Sequence, residues 1–131
     1  MSTPPIRRMT PLRRVRGLGS AHSGTMYFWH QRVTSVAGIG LTIAFVVIVV
    51  NLLGRNHAAV VQILGSPLVA ILMLLFIINT AYHMWIGMQE ILLDYFHDEY
   101  IKLGLLMANT FFVVAVAFAC VFAILKLSFG V

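Results

Sequence analysis

Residues 67–93 read PLVAILMLLFIINTAYHMWIGMQEILL, an apolar run in which Glu90 is the only residue charged at neutral pH. One membrane crossing takes about 20 consecutive apolar residues, so the run is long enough to span a bilayer as a helix. Gly65 and Ser66 precede it, with Ser66 suited to a helix cap and Pro67 to the first helical position. The sequence therefore predicts a transmembrane helix over 67–93.

Two more apolar runs, at 33–53 and 101–125, flank this segment and are also long enough to cross a membrane. The whole chain of 131 residues is 60% hydrophobic and only 10% charged, whereas about a quarter of the residues in a soluble domain are charged. We predict an all-α integral membrane protein with three transmembrane helices. The predicted division is a basic N-terminal segment, 1–30, and a three-helix transmembrane domain, 31–131.

The positive charges are concentrated before the first span. The chain has 9 Lys and Arg against 4 Asp and Glu, and the cluster consists of Arg7, Arg8, Arg13, Arg14 and Arg16. The positive-inside rule places the N-terminus on the cytoplasmic side and, after three crossings, the C-terminus outside. No aromatic-interleaved basic surface follows the cluster, so the charges favour membrane topology over nucleic-acid binding.

Polar side chains within the second span form the best candidate for a functional surface, because such residues are costly in lipid. At about 100° per residue, one stripe of the helix carries Asn79, His83, Gly87, Glu90 and Asp94. His83 precedes Asp94 by 11 residues, or about 16 Å of helix, roughly halfway into a core about 30 Å thick. The stripe should face protein or a cofactor.

The residue pattern alone leaves two interpretations open for each candidate. His83 could ligate haem iron, with Gly87 leaving room for a flat macrocycle, or it could hydrogen-bond a neighbouring helix. Tyr95 could donate to a quinone oxygen beside the carboxylate of Asp94, or only anchor the helix at the membrane interface. Arg32 could pair with a haem propionate or extend to lipid phosphate.

Two motifs indicate a family. Residues 83–95, HMWIGMQEILLDY, resemble the second-span signature of the small hydrophobic anchor subunits of succinate dehydrogenase: a His, then Trp-Ile-Gly-Met, then Asp-Tyr. Residues 19–34, with Gly-Ser-Ala and Trp-His-Gln-Arg-Val-Thr, are similar to the start of the first span in the proteobacterial members of this family. Residues 1–18 and 54–66 match neither motif, and the role of His30 stays open.

The resemblance implies a hydrophobic membrane anchor subunit of succinate dehydrogenase, respiratory complex II, in a bacterial inner membrane, with a mitochondrial inner membrane left open. It implies that His83 is an axial ligand of haem b, that Arg32 lies near the haem propionates, and that Tyr95 and Asp94 contact ubiquinone. Six-coordinate haem iron takes two axial ligands and the chain has one mid-span histidine. The second ligand would come from a partner cytochrome b subunit.

The implied complex also contains a flavoprotein subunit and an iron–sulfur subunit, both bound at the cytoplasmic face, so this chain would not itself dehydrogenate succinate. Two other classes of function stay open. A cofactor-free structural anchor or assembly subunit would use the polar stripe only for packing. A small proton carrier would use His83, Glu90 and Asp94, but the other spans offer no ionisable partner deep in the membrane. The single cysteine, Cys120, excludes an intrachain disulfide.

Overall fold

The computed structural model describes residues 24–130, which form four helices. In chain order these are α1, Gly24–Leu52; α2, His57–Leu64; α3, Pro67–Tyr95; and α4, Glu99–Phe129. By length and composition, α1, α3 and α4 are each able to cross a membrane, and no strand occurs in the described range. The predicted all-α fold with three membrane-spanning helices is confirmed.

The orientation of the bundle in the membrane stays a prediction. The five arginines on which it rests fall within residues 1–23, outside the described residues. The division of the chain at residue 30 also stays a prediction. Because α1 begins at Gly24, the last residues of the predicted basic segment, 24–30, already belong to the first helix.

Local sequence accounts for where the helices begin. Pro67 is the first residue of α3 and Ser66 precedes it as the N-cap residue, but the Ser66 hydroxyl does not cap the helix. It donates instead to the backbone oxygen of Ile63, at 2.7 Å. Asp98 caps α4, because its carboxylate accepts hydrogen bonds from the amides of Tyr100 and Ile101 at 3.0 and 3.1 Å.

α3 lies between α1 and α4 and packs against both, so the three long helices form a row with α3 in the centre. Ile86, in the second half of this helix, is 0% exposed. Most large apolar side chains of α1 and α4 are exposed, as expected where lipid or another membrane subunit covers them. The polar stripe of the second span therefore belongs to the central helix.

The short helix α2 brings the α1–α3 connection against the C-terminal part of α4. Gly65 follows α2, and a Cβ placed on it would lie only 2.9 Å from the backbone oxygen of Leu127. Backbone atoms cannot swing away as a flexible side chain can, so the fold requires glycine at this position.

We expect Gly65→Ala to destabilise the bundle by about 1–3 kcal/mol, because the added methyl group overpacks this contact. The measurement is the thermal unfolding midpoint of the purified protein in detergent. Gly104→Ala is the matched control, because a Cβ at Gly104 meets nothing within 4 Å and alanine favours a helix over glycine. Equal midpoints for Gly65→Ala and the unsubstituted protein would contradict the close approach.

Candidate functional site

The polar residues in the middle of α3 meet α1 at Thr34. The His83 Nδ1 atom lies 2.9 Å from Thr34 Oγ1, and the Asn79 side-chain amide donates to the backbone oxygen of Thr34 at 3.1 Å. Asn79 and His83 are one helical turn apart, so both reach the same residue of α1. Gly38 makes room for this contact, since a Cβ there would lie 3.2 Å from Asn79 Nδ2.

A groove of about 550 Å³ opens along this contact between α1 and α3, within the range of about 300–1,000 Å³ that is typical of ligand sites. His83 is half-buried in its wall. Small and polar residues supply most of the remaining lining: Thr34, Ser35, Gly38, Thr42, Asn79 and Thr80. The hydrogen bond to Thr34 occupies one ring nitrogen of His83, and within the described residues the other has no hydrogen-bond partner.

The Gln31 side chain of α1 lies against Gly87. A Cβ on Gly87 would lie 3.6 Å from Gln31 Nε2, an ordinary van der Waals distance, so the expectation that Gly87 leaves room for a macrocycle stays a prediction. The buried oxygen of Gln31, Oε1, accepts no hydrogen bond within residues 24–130. Because an unsatisfied buried amide oxygen is costly, this atom is available to a donor from a ligand or a partner subunit.

Arg32 lies beside the His83 groove and not within it. Together with Phe28, Gln31, Ser35 and Glu90 it lines a second groove of about 470 Å³, and Ser35 borders both grooves. The guanidinium carbon of Arg32 is 4.0 Å from the centroid of the Phe28 ring, a cation–π contact. The second groove thus combines a cation with Glu90, the carboxylate of the polar stripe.

Asp94 and Tyr95 occupy the last turn of α3 and are both exposed. Tyr95 is 77% exposed. By helix rise, Asp94 is about 16 Å from His83 along the helix axis. Neither Asp94 nor Tyr95 lines the groove beside His83 or the groove beside Arg32. Within residues 24–130, Asp94 and Tyr95 therefore lie apart from the other candidate residues.

Sequence reasoning did not identify the hydrogen-bond partners of two histidines, the candidate ligand His83 and His30, whose role was left open. Thr34 is one of them, and Tyr82 is the other, because its hydroxyl lies 2.6 Å from Nδ1 of His30. Both contacts cross between α1 and α3 and depend on how these helices align. Thr34 and His83 are 49 positions apart in the sequence, and His30 and Tyr82 are 52 apart. No short sequence pattern therefore indicates either contact.

A second polar contact joins α3 to α4. The indole N–H of Trp85 donates to Thr110 Oγ1 at 3.1 Å, and the Asn109 amide donates to the backbone oxygen of Trp85 at 3.3 Å. The polar residues of the third span thus hold α3 in place, and the central helix is fixed from both sides.

The side chains of this site suit axial ligation of a haem iron better than coordination of a metal ion without a porphyrin. No group of three His, Cys, Asp or Glu side chains that could hold a metal occurs in the described part of the chain. A porphyrin already supplies four nitrogen ligands to its iron, so the protein needs to provide only axial ligands. A single histidine on a groove lined by small residues fits that requirement.

Comparisons with known proteins agree with these features. The model of the family described as succinate dehydrogenase/fumarate reductase transmembrane subunit matches residues 6–124. The chain is 31% identical over 125 residues to the succinate dehydrogenase hydrophobic membrane anchor subunit of Paracoccus denitrificans, covering 95% of this chain and 96% of that protein. No solved structure matches the chain. The resemblance inferred from the two motifs is confirmed, and this multi-pass membrane protein belongs to the succinate dehydrogenase/fumarate reductase transmembrane subunit family.

Proposed function

We propose that this chain is a membrane anchor subunit of succinate dehydrogenase that provides one axial ligand for haem b and one wall of a ubiquinone site. Family membership and the three membrane-spanning helices support the anchor role. The observation that carries the haem assignment is the position of His83, which lies mid-span on an open groove with one ring nitrogen bonded to Thr34.

When bound, haem would supply a one-electron redox centre within the membrane. His83 would hold its iron from this chain, and Arg32, in the adjacent groove, would bind a propionate through a charge-assisted hydrogen bond. The chain has one histidine at mid-span. The second axial ligand would therefore come from the partner cytochrome b subunit, which would cover the exposed side of the α1–α3 groove.

The ubiquinone site would lie at the end of α3. Tyr95 would donate a hydrogen bond from its hydroxyl to a quinone oxygen, and Asp94 would supply protons when the quinone is reduced. The 77% exposure of Tyr95 supports this role, because the side chain is available for a pocket completed by other subunits. A hydrogen bond in such a water-excluded pocket is stronger than one in water.

The remaining partners follow from the predicted orientation. The flavoprotein and iron–sulfur subunits would bind at the cytoplasmic face of a bacterial inner membrane, at the end of the bundle that carries Tyr95. Electrons from succinate would pass through those subunits to the quinone. This chain would anchor them and bind the cofactors without taking part in the dehydrogenation.

Purification of the complex through a tag on this chain tests the proposed assembly. We expect the flavoprotein, iron–sulfur and cytochrome b subunits to copurify from detergent-solubilised membranes, with succinate-dependent reduction of ubiquinone. Isolation of the chain without these subunits, from membranes that retain the activity, would contradict the proposal.

A cofactor-free anchor is the second candidate function. The hydrogen bond between His83 and Thr34 favours it, because that bond partly satisfies the imidazole without a cofactor. The two candidates differ in the absorption spectrum of the same purified complex. An active, complete complex without a b-type spectrum would support the cofactor-free anchor and exclude the haem assignment.

We expect Arg32→Gln to lower the affinity of the complex for haem by about 10- to 150-fold, since a hydrogen bond to a charged group is worth about 1.5–3 kcal/mol. It should also lower the haem midpoint potential, because a nearby cation favours the reduced haem. The measurements are the haem-to-protein ratio and a redox titration. Arg55→Gln is the control, because Arg55 is exposed beyond the end of α1. Equal results for the two variants would contradict the propionate assignment.

A further inference from the structure

The hydroxyl of Thr34 has three hydrogen-bond partners within reach. Its Oγ1 atom lies 2.7 Å from the backbone oxygen of His30, 3.1 Å from that of Gln31 and 2.9 Å from Nδ1 of His83. A threonine hydroxyl carries one proton and two lone pairs. The direction of the bond to His83 therefore depends on where this one proton lies.

The two backbone oxygens can only accept hydrogen bonds, so a bond to either of them uses the Thr34 proton. Donation to the carbonyl four residues earlier is a common arrangement for threonine in a helix, and the His30 oxygen is also the nearest of the three partners. Toward His83, Thr34 Oγ1 then acts as an acceptor. A neutral imidazole in this position carries its hydrogen on Nδ1 and keeps its lone pair on Nε2.

The other side of α3 contains the same arrangement with an unambiguous direction. Thr110 Oγ1 donates to the backbone oxygen of Leu106 at 2.9 Å and lies 3.1 Å from Nε1 of Trp85. An indole nitrogen is only a donor, so Thr110 must accept from it. A threonine of this fold thus donates to its own helix while accepting a ring N–H from α3, and Thr34 has the same geometry toward His83.

The backbone of Thr34 is also held in place. The Asn79 amide donates to its carbonyl oxygen at 3.1 Å, and Gly38 leaves space for that amide. Because Asn79 precedes His83 by one turn, α3 holds the same residue of α1 through its backbone and through its side chain. The acceptor is therefore fixed relative to the imidazole.

We propose that Thr34 is a positioning residue for the haem ligand: it holds the His83 Nδ1–H and thereby presents Nε2 to the iron. This inference rests on the proposed haem function and assigns a role to a residue outside the ligand set. A hydrogen bond from the distal N–H of a ligating histidine fixes its tautomer and makes the ring a stronger electron donor. Stronger donation stabilises ferric iron and lowers the midpoint potential.

The test compares Thr34→Val, Thr34→Ser and Thr110→Val in the complete complex, by redox titration and by haem content per complex. Thr34→Val keeps the shape of the side chain and removes the acceptor, so the midpoint potential should rise and haem affinity should fall by about 10- to 100-fold. Thr34→Ser restores the hydroxyl and should return both values to those of the unsubstituted complex. Thr110→Val removes the corresponding hydroxyl on the other side of α3 and should leave the potential unchanged.

Either of two results would overturn the inference: an unchanged potential with full haem content in Thr34→Val, or equal changes in Thr34→Val and Thr34→Ser. A low yield of assembled complex would identify a folding defect in Thr34→Val. The test would then rest on Thr34→Ser. A role for the hydroxyl predicts that Thr34→Ser has the potential and haem content of the unsubstituted complex. Failure of the proposed function would look different, because the unsubstituted complex would then contain no haem b.

Discussion

The His83→Ala complex should lose its b-type absorbance while its subunits stay assembled. The substitution removes the one mid-span imidazole of the chain, which is the ligand proposed for the haem iron. Because each 1.4 kcal/mol of lost binding free energy is about a factor of ten in affinity, we expect the affinity for haem to fall by at least about tenfold and haem to be lost from the complex during purification. The measurement is the reduced-minus-oxidised absorption spectrum of the purified complex.

Assembly should survive this change because other contacts hold α1 against α3. Asn79 still bonds to the Thr34 backbone, and the rings of Phe45 and Phe76 stack with centroids 4.5 Å apart. His57→Ala is the matched control, since His57 is an exposed histidine at the start of α2. Full haem content in His83→Ala would exclude His83 as the ligand.

Tyr95→Phe should reduce succinate:ubiquinone reductase activity by about 100-fold or more, the usual cost of removing one preorganised hydrogen-bond donor from a reaction site. The substitution deletes only the hydroxyl of a side chain that is 77% exposed, so the stability and haem content of the complex should not change. Succinate oxidation with a soluble electron acceptor should also be unchanged, because that reaction bypasses the quinone site.

Tyr100→Phe provides the control for the quinone assignment. Tyr100 is 89% exposed and lies in the first turn of α4, close in sequence to Tyr95. Loss of activity only in Tyr95→Phe would support a specific hydrogen bond to the quinone. Equal activity in the two variants would leave Tyr95 as an interfacial anchor, without affecting the haem assignment.

The sequence was sufficient to predict the three long helices and the placement of His83 on the second of them, but not the short helix α2. Membrane spans are set by length and hydropathy, and Pro67 determines where α3 begins. The helical period correctly placed Asn79 and His83 on one face, and both contact Thr34 of α1. The spans and the face that each residue occupies depend on a single helix and the lipid around it, so they can be predicted before the packing of the helices is known.

Features that depend on two chain segments could not be predicted. The pairing of His83 with Thr34 requires the alignment of α1 against α3, which is set by close contacts such as that at Gly38. The placement of Arg32 in a separate groove has the same origin. Tyr95 is exposed on this chain, so the contacts proposed for it would come from other subunits and could not be predicted from this sequence.

The most direct test of the central claim is the haem content of the unsubstituted complex, purified through a tag on this chain. We expect one b-type haem for each copy of the chain, measured from the reduced-minus-oxidised spectrum and the protein concentration. A complete complex that reduces ubiquinone with succinate and contains no b-type haem would contradict this expectation.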